Sequence, residues 1–188
     1  CKLHAGGKLN KKESGNAYRF SGGLHGVGVS VTNALSTRLE VEIKRGGGIH
    51  KIVFADGFVT EPLTRIGDVG PRTTGTTVRI SPDPKYFDSP KVNLSQLEHL
   101  LRSKAVLMPN VTVDLEIEAE NGLPIRKSWC YQNGMADYLA EMMAGTPVAP
   151  IFVGEKYVAV ENGFSVGEGA TWALAWFEEG GGTPESYV

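Results

Sequence analysis

Four glycines occur within residues 22–28, at the point where the chain enters the segment 29–35. Glycine lacks a Cβ atom, so main-chain N–H groups in such a turn approach an oxyanion closely and the backbone adopts positive φ without strain. We predict a helix over 29–35, whose first N–H groups and positive dipole end would face the same place. The pattern is compatible with a phosphate-binding turn or with an ordinary tight connection into a helix, and alone it favours neither.

The spacing of these glycines excludes several familiar nucleotide motifs. A P-loop needs a glycine, four residues and then Gly-Lys-Ser/Thr, and the sequence contains no such run. A dinucleotide fingerprint needs Gly-x-Gly-x-x-Gly directly after a strand, whereas Gly23, Gly26 and Gly28 have the reverse spacing and follow a polar stretch. A protein-kinase loop would need a third glycine where Val31 stands.

Composition places the chain among ordinary globular proteins. Its 188 residues, 41% apolar and 21% charged, suffice for one large or two small domains with a real core. The net charge of −2 gives no overall basic field, so we expect DNA contacts to be local or to lie outside this chain. The sequence has no apolar run of 18 residues, and we expect no contact with a membrane. Two cysteines fit a reducing cytosol.

Hydrophobic periodicity predicts an alternation of strands and helices. The period is two from Arg38 onward, and a triple-glycine turn at 46–48 predicts a hairpin with one buried face. A cap at Asn93 and a stop at Pro109 delimit a helix, and 135–142 predicts a short helix with Met135, Tyr138, Leu139 and Met142 on its core face. The predicted strands are 38–44, 49–55, 76–80, 111–119, 123–129, 156–160 and 170–177.

Segments on both sides of the glycine turn resemble a known family. Leu3-His4-Ala5-Gly6-Gly7-Lys8 and Val29-Ser30-Val31-Thr32-Asn33-Ala34-Leu35-Ser36 are similar to the B subunit of bacterial type IIA topoisomerases, whose ATPase domain is related to those of Hsp90, histidine kinases and MutL. Four further segments, at 87–90, 104–107, 129–132 and 185–188, look like the topoisomerase IV branch. The gyrase B subunit is the alternative within the family.

The resemblance implies a fold and a division into domains. The fold class is α/β, an α+β two-layer sandwich of the gyrase, Hsp90, histidine kinase and MutL type with a mixed sheet, followed by the start of a ribosomal S5-like transducer domain. Composition shifts at Ala144-Gly145-Thr146-Pro147, which is typical of a domain boundary. We therefore expect residues 1–146 to be the C-terminal part of the ATPase domain and 147–188 the beginning of the transducer. The chain begins with Cys1 rather than Met, and we expect it to be an internal piece of a longer polypeptide.

The resemblance also assigns site residues. Lys8 would contact the terminal phosphate, Tyr18 would hydrogen-bond the adenine ring, Thr76 would reach the adenine through an ordered water, and Arg45 would lie on the rim of the adenine pocket. The ordinary alternatives are a surface lysine, a packing tyrosine, a plain strand threonine and an exposed arginine. The ATP-binding positions implied in this way are Lys8, Tyr18, Gly22, Gly23, Leu24, His25, Gly26, Val27, Gly28, Val29 and Thr76.

The function implied by the resemblance is that of a larger assembly. ATP binding would close a homodimer of B subunits, and hydrolysis would reset it while the topoisomerase A subunit cuts one DNA duplex so that another passes, giving decatenation and relaxation in the bacterial cytoplasm during chromosome segregation. The family places the general base and the Mg²⁺ ligand before Cys1 and a catalytic lysine after Val188. We therefore assign no catalytic or metal residue here and expect these residues alone to be inactive. A non-catalytic module that dimerises on ATP is a second interpretation.

Overall fold

The computed structural model describes residues 26–89, 91–118, 122–157, 169–179, 182 and 184–187. The chain divides into two compact units, residues 1–91 and 92–188. The predicted boundary at residue 147 falls inside the second unit, and it stays a prediction about domains.

The first unit contains one described helix and a four-stranded sheet. Its strands are ordered β3-β2-β1-β4, and each neighbouring pair is antiparallel. The elements are α1 (Gly28–Ala34), β1 (Ser36–Arg45), β2 (Gly48–Ala55), β3 (Phe58–Asp68), β4 (Gly75–Pro82) and a short 3₁₀ turn (Pro84–Tyr86).

Tight turns explain why β1, β2 and β3 form a meander. Gly46 and Gly47 have φ of 59° and 81°, which a two-residue turn between right-twisted strands requires. Asp56 and Gly57, with φ of 48° and 85°, make the next turn in the same way. The predicted hairpin and the later strand β4 are confirmed. The sequence did not predict β3, in which Pro62 and irregularities of register interrupt the alternation.

Burial in this sheet is divided between its two faces. Leu39 and Phe54 are paired across β1 and β2, and only 1% and 5% of their surfaces are exposed. Val53, which is fully buried, is paired with Glu40 and therefore lies on the other face. The expectation of a single buried face is thus met only in part.

The second unit contains two described helices and two antiparallel hairpins. The Asn93 side chain caps the first helix by accepting a 3.2 Å hydrogen bond from the Gln96 N–H, as predicted. None of the described helices is long and apolar enough to cross a membrane. The elements are α2 (Leu94–Leu107), β5 (Val113–Ile117), β6 (Ile125–Trp129), α3 (Met135–Met142), β7 (Phe152–Tyr157) and β8 (Gly169–Leu174).

The core of this unit lies where α2, β5, β6 and α3 meet. Ala105, Val106 and Tyr131 are its buried residues, and Met135 and Tyr138 pack against them. The prediction that Met142 also faces the core is wrong, because it ends α3 with 49% of its surface exposed. β7 begins at Phe152, four residues before the predicted start, and 158–160 lie outside the described residues.

Candidate functional site

The described part of the glycine turn leads directly into α1. Gly26 has φ of 63°, a conformation that a residue with a branched side chain adopts only under strain. The Val31 N–H then donates a 2.9 Å hydrogen bond to the Val27 carbonyl, which starts the helix. No side chain among the described residues caps this end, and its first turn carries no acidic residue. The first turn of the helix therefore carries no negative side chain that would repel an anionic group bound near this end.

A Cβ atom at Gly28 would touch nothing within 4 Å among the described residues. Its φ is not positive, so neither backbone conformation nor packing against the described residues demands glycine at this position.

Asn33 attaches the other end of α1 to the sheet. It is the helix's buried residue, with 4% of its surface exposed. Its Nδ2 donates a 3.0 Å hydrogen bond to the Gly57 carbonyl in the turn between β2 and β3. Sequence reasoning did not single out this residue. The sequence feature that could have indicated its role is a polar side chain in the interior of a short predicted helix, where asparagine has low helix propensity.

The sheet brings Thr76 and Arg45 to the same face. Thr76 on β4 is paired with Ile43 on β1, and Arg45 lies two residues beyond Ile43 on that strand. Directly paired residues and residues two apart share a face, so both side chains project to one side. Both are exposed. The apolar residues Val41 and Val78 pair next to them on this face.

The remaining predicted site residues lie outside the described residues, so their placement stays a prediction. They are Lys8, Tyr18, Gly22, Gly23, Leu24 and His25. Among the residues that the structure does describe, no group of three or more His, Cys, Asp or Glu side chains has the arrangement of a metal site.

Comparison with curated proteins identifies relatives along the whole chain. The B subunit of DNA topoisomerase 4 from Salmonella typhimurium (strain LT2) is 45% identical over 190 residues, covering 100% of this chain, and that of Escherichia coli (strain K12) is 46% identical over 189. This chain belongs to the B-subunit family of bacterial type IIA topoisomerases. It spans about 28% of the length of the curated relatives it matches.

Within this family the chain is more similar to these topoisomerase IV relatives than to a gyrase relative. The DNA gyrase B subunit of Thermotoga maritima is 39% identical over 143 residues, which cover 76% of this chain. The chain matches no protein-family model.

Solved structures of the family share the fold. The topoisomerase IV ATP-binding domain of Francisella tularensis, solved with a small-molecule inhibitor, superposes with a TM-score of 0.57 at 40% identity over 72% of this chain and 40% of that one. The 43K ATPase domain of Thermus thermophilus gyrase B, in complex with an aminocoumarin, gives a TM-score of 0.61 at 31% identity over 71% and 36%. The expected α/β ATPase fold of the type IIA B subunits is therefore confirmed. The expected mixed sheet is not seen among the described residues, because all their strand pairs are antiparallel.

Proposed function

We propose that this chain is the nucleotide-lid and sheet portion of the ATPase subunit of a bacterial type II DNA topoisomerase, of the topoisomerase IV kind. The observation that carries the proposal is the similarity of the whole chain to topoisomerase IV B subunits, together with a positive-φ glycine at the entry to α1. The gyrase B subunit is the alternative within the family.

The chain's own residues would bind the nucleotide from two sides. Backbone N–H groups of Gly26–Val29 would contact the phosphates, because neither glycine in this run places a Cβ atom in the way. Thr76 would donate or accept a hydrogen bond through a water at the adenine edge, and Arg45 would lie at the rim of that pocket. Lys8 would reach the terminal phosphate and Tyr18 the adenine ring.

Hydrolysis would need groups that we do not assign to this chain. A general base must activate water, and Mg²⁺ would neutralise developing charge on the phosphates. In the proposed assembly, ATP binding closes a dimer of B subunits around double-stranded DNA, and the partner A subunit cuts and rejoins a duplex. The assembly would decatenate and relax chromosomal DNA in the cytoplasm before chromosome segregation.

The proposal is tested in the full-length protein with a Gly26→Val substitution. A branched side chain strains the φ of 63° and occupies space next to the phosphates, so binding of a non-hydrolysable ATP analogue should be lost. Gly46→Val controls for the effect of backbone strain on the unfolding free energy, because Gly46 has a similar φ of 59° and open space around its Cβ position.

Three readouts separate the candidate functions. With the A subunit present, ATP-dependent decatenation supports topoisomerase IV, whereas negative supercoiling of relaxed DNA would assign the chain to gyrase. Nucleotide-dependent dimerisation without hydrolysis would instead make it a non-catalytic module.

Wild-type affinity for the non-hydrolysable ATP analogue in the Gly26→Val protein would refute the assignment of the glycine turn as the lid.

A further inference from the structure

Among the described side-chain contacts between α1 and the sheet, the contact of Asn33 joins the residues that are farthest apart in sequence. Its amide donates across 24 residues to the Gly57 carbonyl at 3.0 Å, and the side chain is almost completely buried. The other side-chain hydrogen bonds of this region run along the helix. Thr32 Oγ1 donates to the Gly28 carbonyl at 3.1 Å, and Ser36 Oγ donates to the Thr32 carbonyl at 2.6 Å. These local bonds stabilise the helical turns but do not fix their direction.

The choice of asparagine is not explained by packing. Its Oδ1 atom is buried and has no hydrogen-bond partner among the described residues. Leucine has a similar size and would fill the site without an unpaired acceptor, so packing alone would favour it. The hydrogen bond to Gly57 is what asparagine supplies and leucine does not.

The geometry of a short helix connects this bond to the glycine turn. The seven residues of α1 extend only about 10 Å. The Leu35 carbonyl, which accepts a 2.9 Å hydrogen bond from the Asp83 N–H, fixes where the helix ends. A second fixed point is needed to set its direction, and Asn33 provides one in the last turn. A change of tilt there displaces the backbone of 26–29 at the opposite end.

We propose that Asn33 is a positioning residue of the nucleotide lid. Its bond to the β2–β3 turn holds α1 so that the backbone N–H groups of 26–29 face the bound triphosphate. This inference rests on the proposed function, because it takes the glycine turn to be the lid. It adds a residue that touches no nucleotide and acts through the direction of the helix.

The test compares two ligands in the full-length protein carrying Asn33→Leu. Binding of adenosine 5′-(β,γ-imido)triphosphate needs both the lid and the face of the sheet that carries Thr76 and Arg45. Binding of adenosine needs only that face of the sheet. Losing one hydrogen bond should weaken binding of the triphosphate about 5-fold and leave adenosine binding unchanged. Asn33→Ala, which removes the amide without burying a charge, carries the same expectation if the leucine variant does not fold.

Two controls separate positioning from general damage. Thr37→Val removes a side-chain-to-backbone hydrogen bond of 3.2 Å, from Thr37 Oγ1 to the Ser81 carbonyl, without touching α1. It should leave both affinities at the wild-type level. Val53→Ala destabilises the same sheet through a fully buried position and should not change the ratio of the two affinities.

The outcomes are distinct. Equal weakening of both ligands in the Asn33 variant, or unchanged triphosphate affinity, would overturn the positioning role while leaving the lid in place. Failure of the wild-type protein to bind the triphosphate would overturn the proposed function itself, and the positioning role with it.

Discussion

Arg102 and Tyr131, 29 residues apart, are joined by a 2.9 Å hydrogen bond from the Arg102 Nε to the Tyr131 hydroxyl. The same hydroxyl donates at 2.7 Å to Glu141, whose other carboxylate oxygen lies 2.9 Å from the Arg102 guanidinium. Three elements of the second unit, α2, the segment after β6, and α3, thus meet at one closed polar triad. The hydrogen bond from Tyr131 lowers the pKa of Glu141, and burial raises the pKa of the Tyr131 hydroxyl.

Removing the hydroxyl of this triad should destabilise the second unit. Tyr131→Phe keeps the buried ring but leaves Arg102 and Glu141 each without one partner, which should cost about 1–2 kcal/mol of unfolding free energy. Tyr138→Phe is the control, because that ring packs on the same core while its hydroxyl bonds Glu185 at an exposed site. Urea unfolding measures both variants. A loss for Tyr138→Phe as large as that for Tyr131→Phe would contradict the role given to the triad.

Glu40 should make the first unit sensitive to acid. Its carboxylate accepts hydrogen bonds from Arg38 at 2.6 Å and Lys51 at 3.1 Å, and these lower the pKa of Glu40 to about 2. Since the unfolded pKa is about 4.3, the stabilisation is complete above that value and is lost as the pH falls toward 2.

We therefore expect Glu40→Gln to be less stable than wild type at pH 7 and to depend less on pH between about 5 and 2. Glu42→Gln is the matched control, because Glu42 lies on the same face of β1 but its nearest cation, Lys44 Nζ, is 4.0 Å away. Chemical denaturation at a series of pH values gives the comparison. If the unfolding free energies of wild type and Glu40→Gln changed in parallel with pH, the expectation would be refuted.

Local patterns in the sequence predicted most elements but few of their contacts. The hairpin of β1 and β2 and the Asn93 cap of α2 depend on neighbouring residues, and both were predicted correctly. The pairing of Ile43 with Thr76, which places Arg45 on the face of Thr76, joins strands that are distant in sequence. The hydrophobic periodicity of neighbouring residues does not predict which distant strands pair.

The missed contacts have the same physical origin. Arg102 and Tyr131 become partners only after α2 packs on the segment after β6. Asn33 is buried because a turn 24 residues later covers it. The nucleotide site itself was predicted through the resemblance of its motif to a family, and not through periodicity.

The segment between α3 and β7 should exchange its amide hydrogens faster than α3. Residues 144–147 lie outside regular structure and are largely exposed, as a domain boundary requires. Val148 should be slower, because its N–H donates a 2.8 Å hydrogen bond to the Trp176 carbonyl. Hydrogen exchange of the full-length protein tests this pattern. Exchange of the amides of 144–146 as slow as that of Tyr138 within α3 would argue against a boundary here; Pro147 has no amide hydrogen.

Thr76 should contribute to nucleotide binding without contributing to stability. Its side chain is exposed on β4, and valine has the same shape and a high strand propensity, so Thr76→Val should leave the unfolding free energy unchanged. The lost hydroxyl should weaken binding of adenosine nucleotides about 5-fold to 10-fold. Thr77→Val is the matched control, since the next residue of the same strand projects from the opposite face and is paired with Glu42. Calorimetric titration of the full-length variants should show the loss for Thr76→Val only. Equal affinities in the two variants would mean that the nucleotide does not use this face of the sheet.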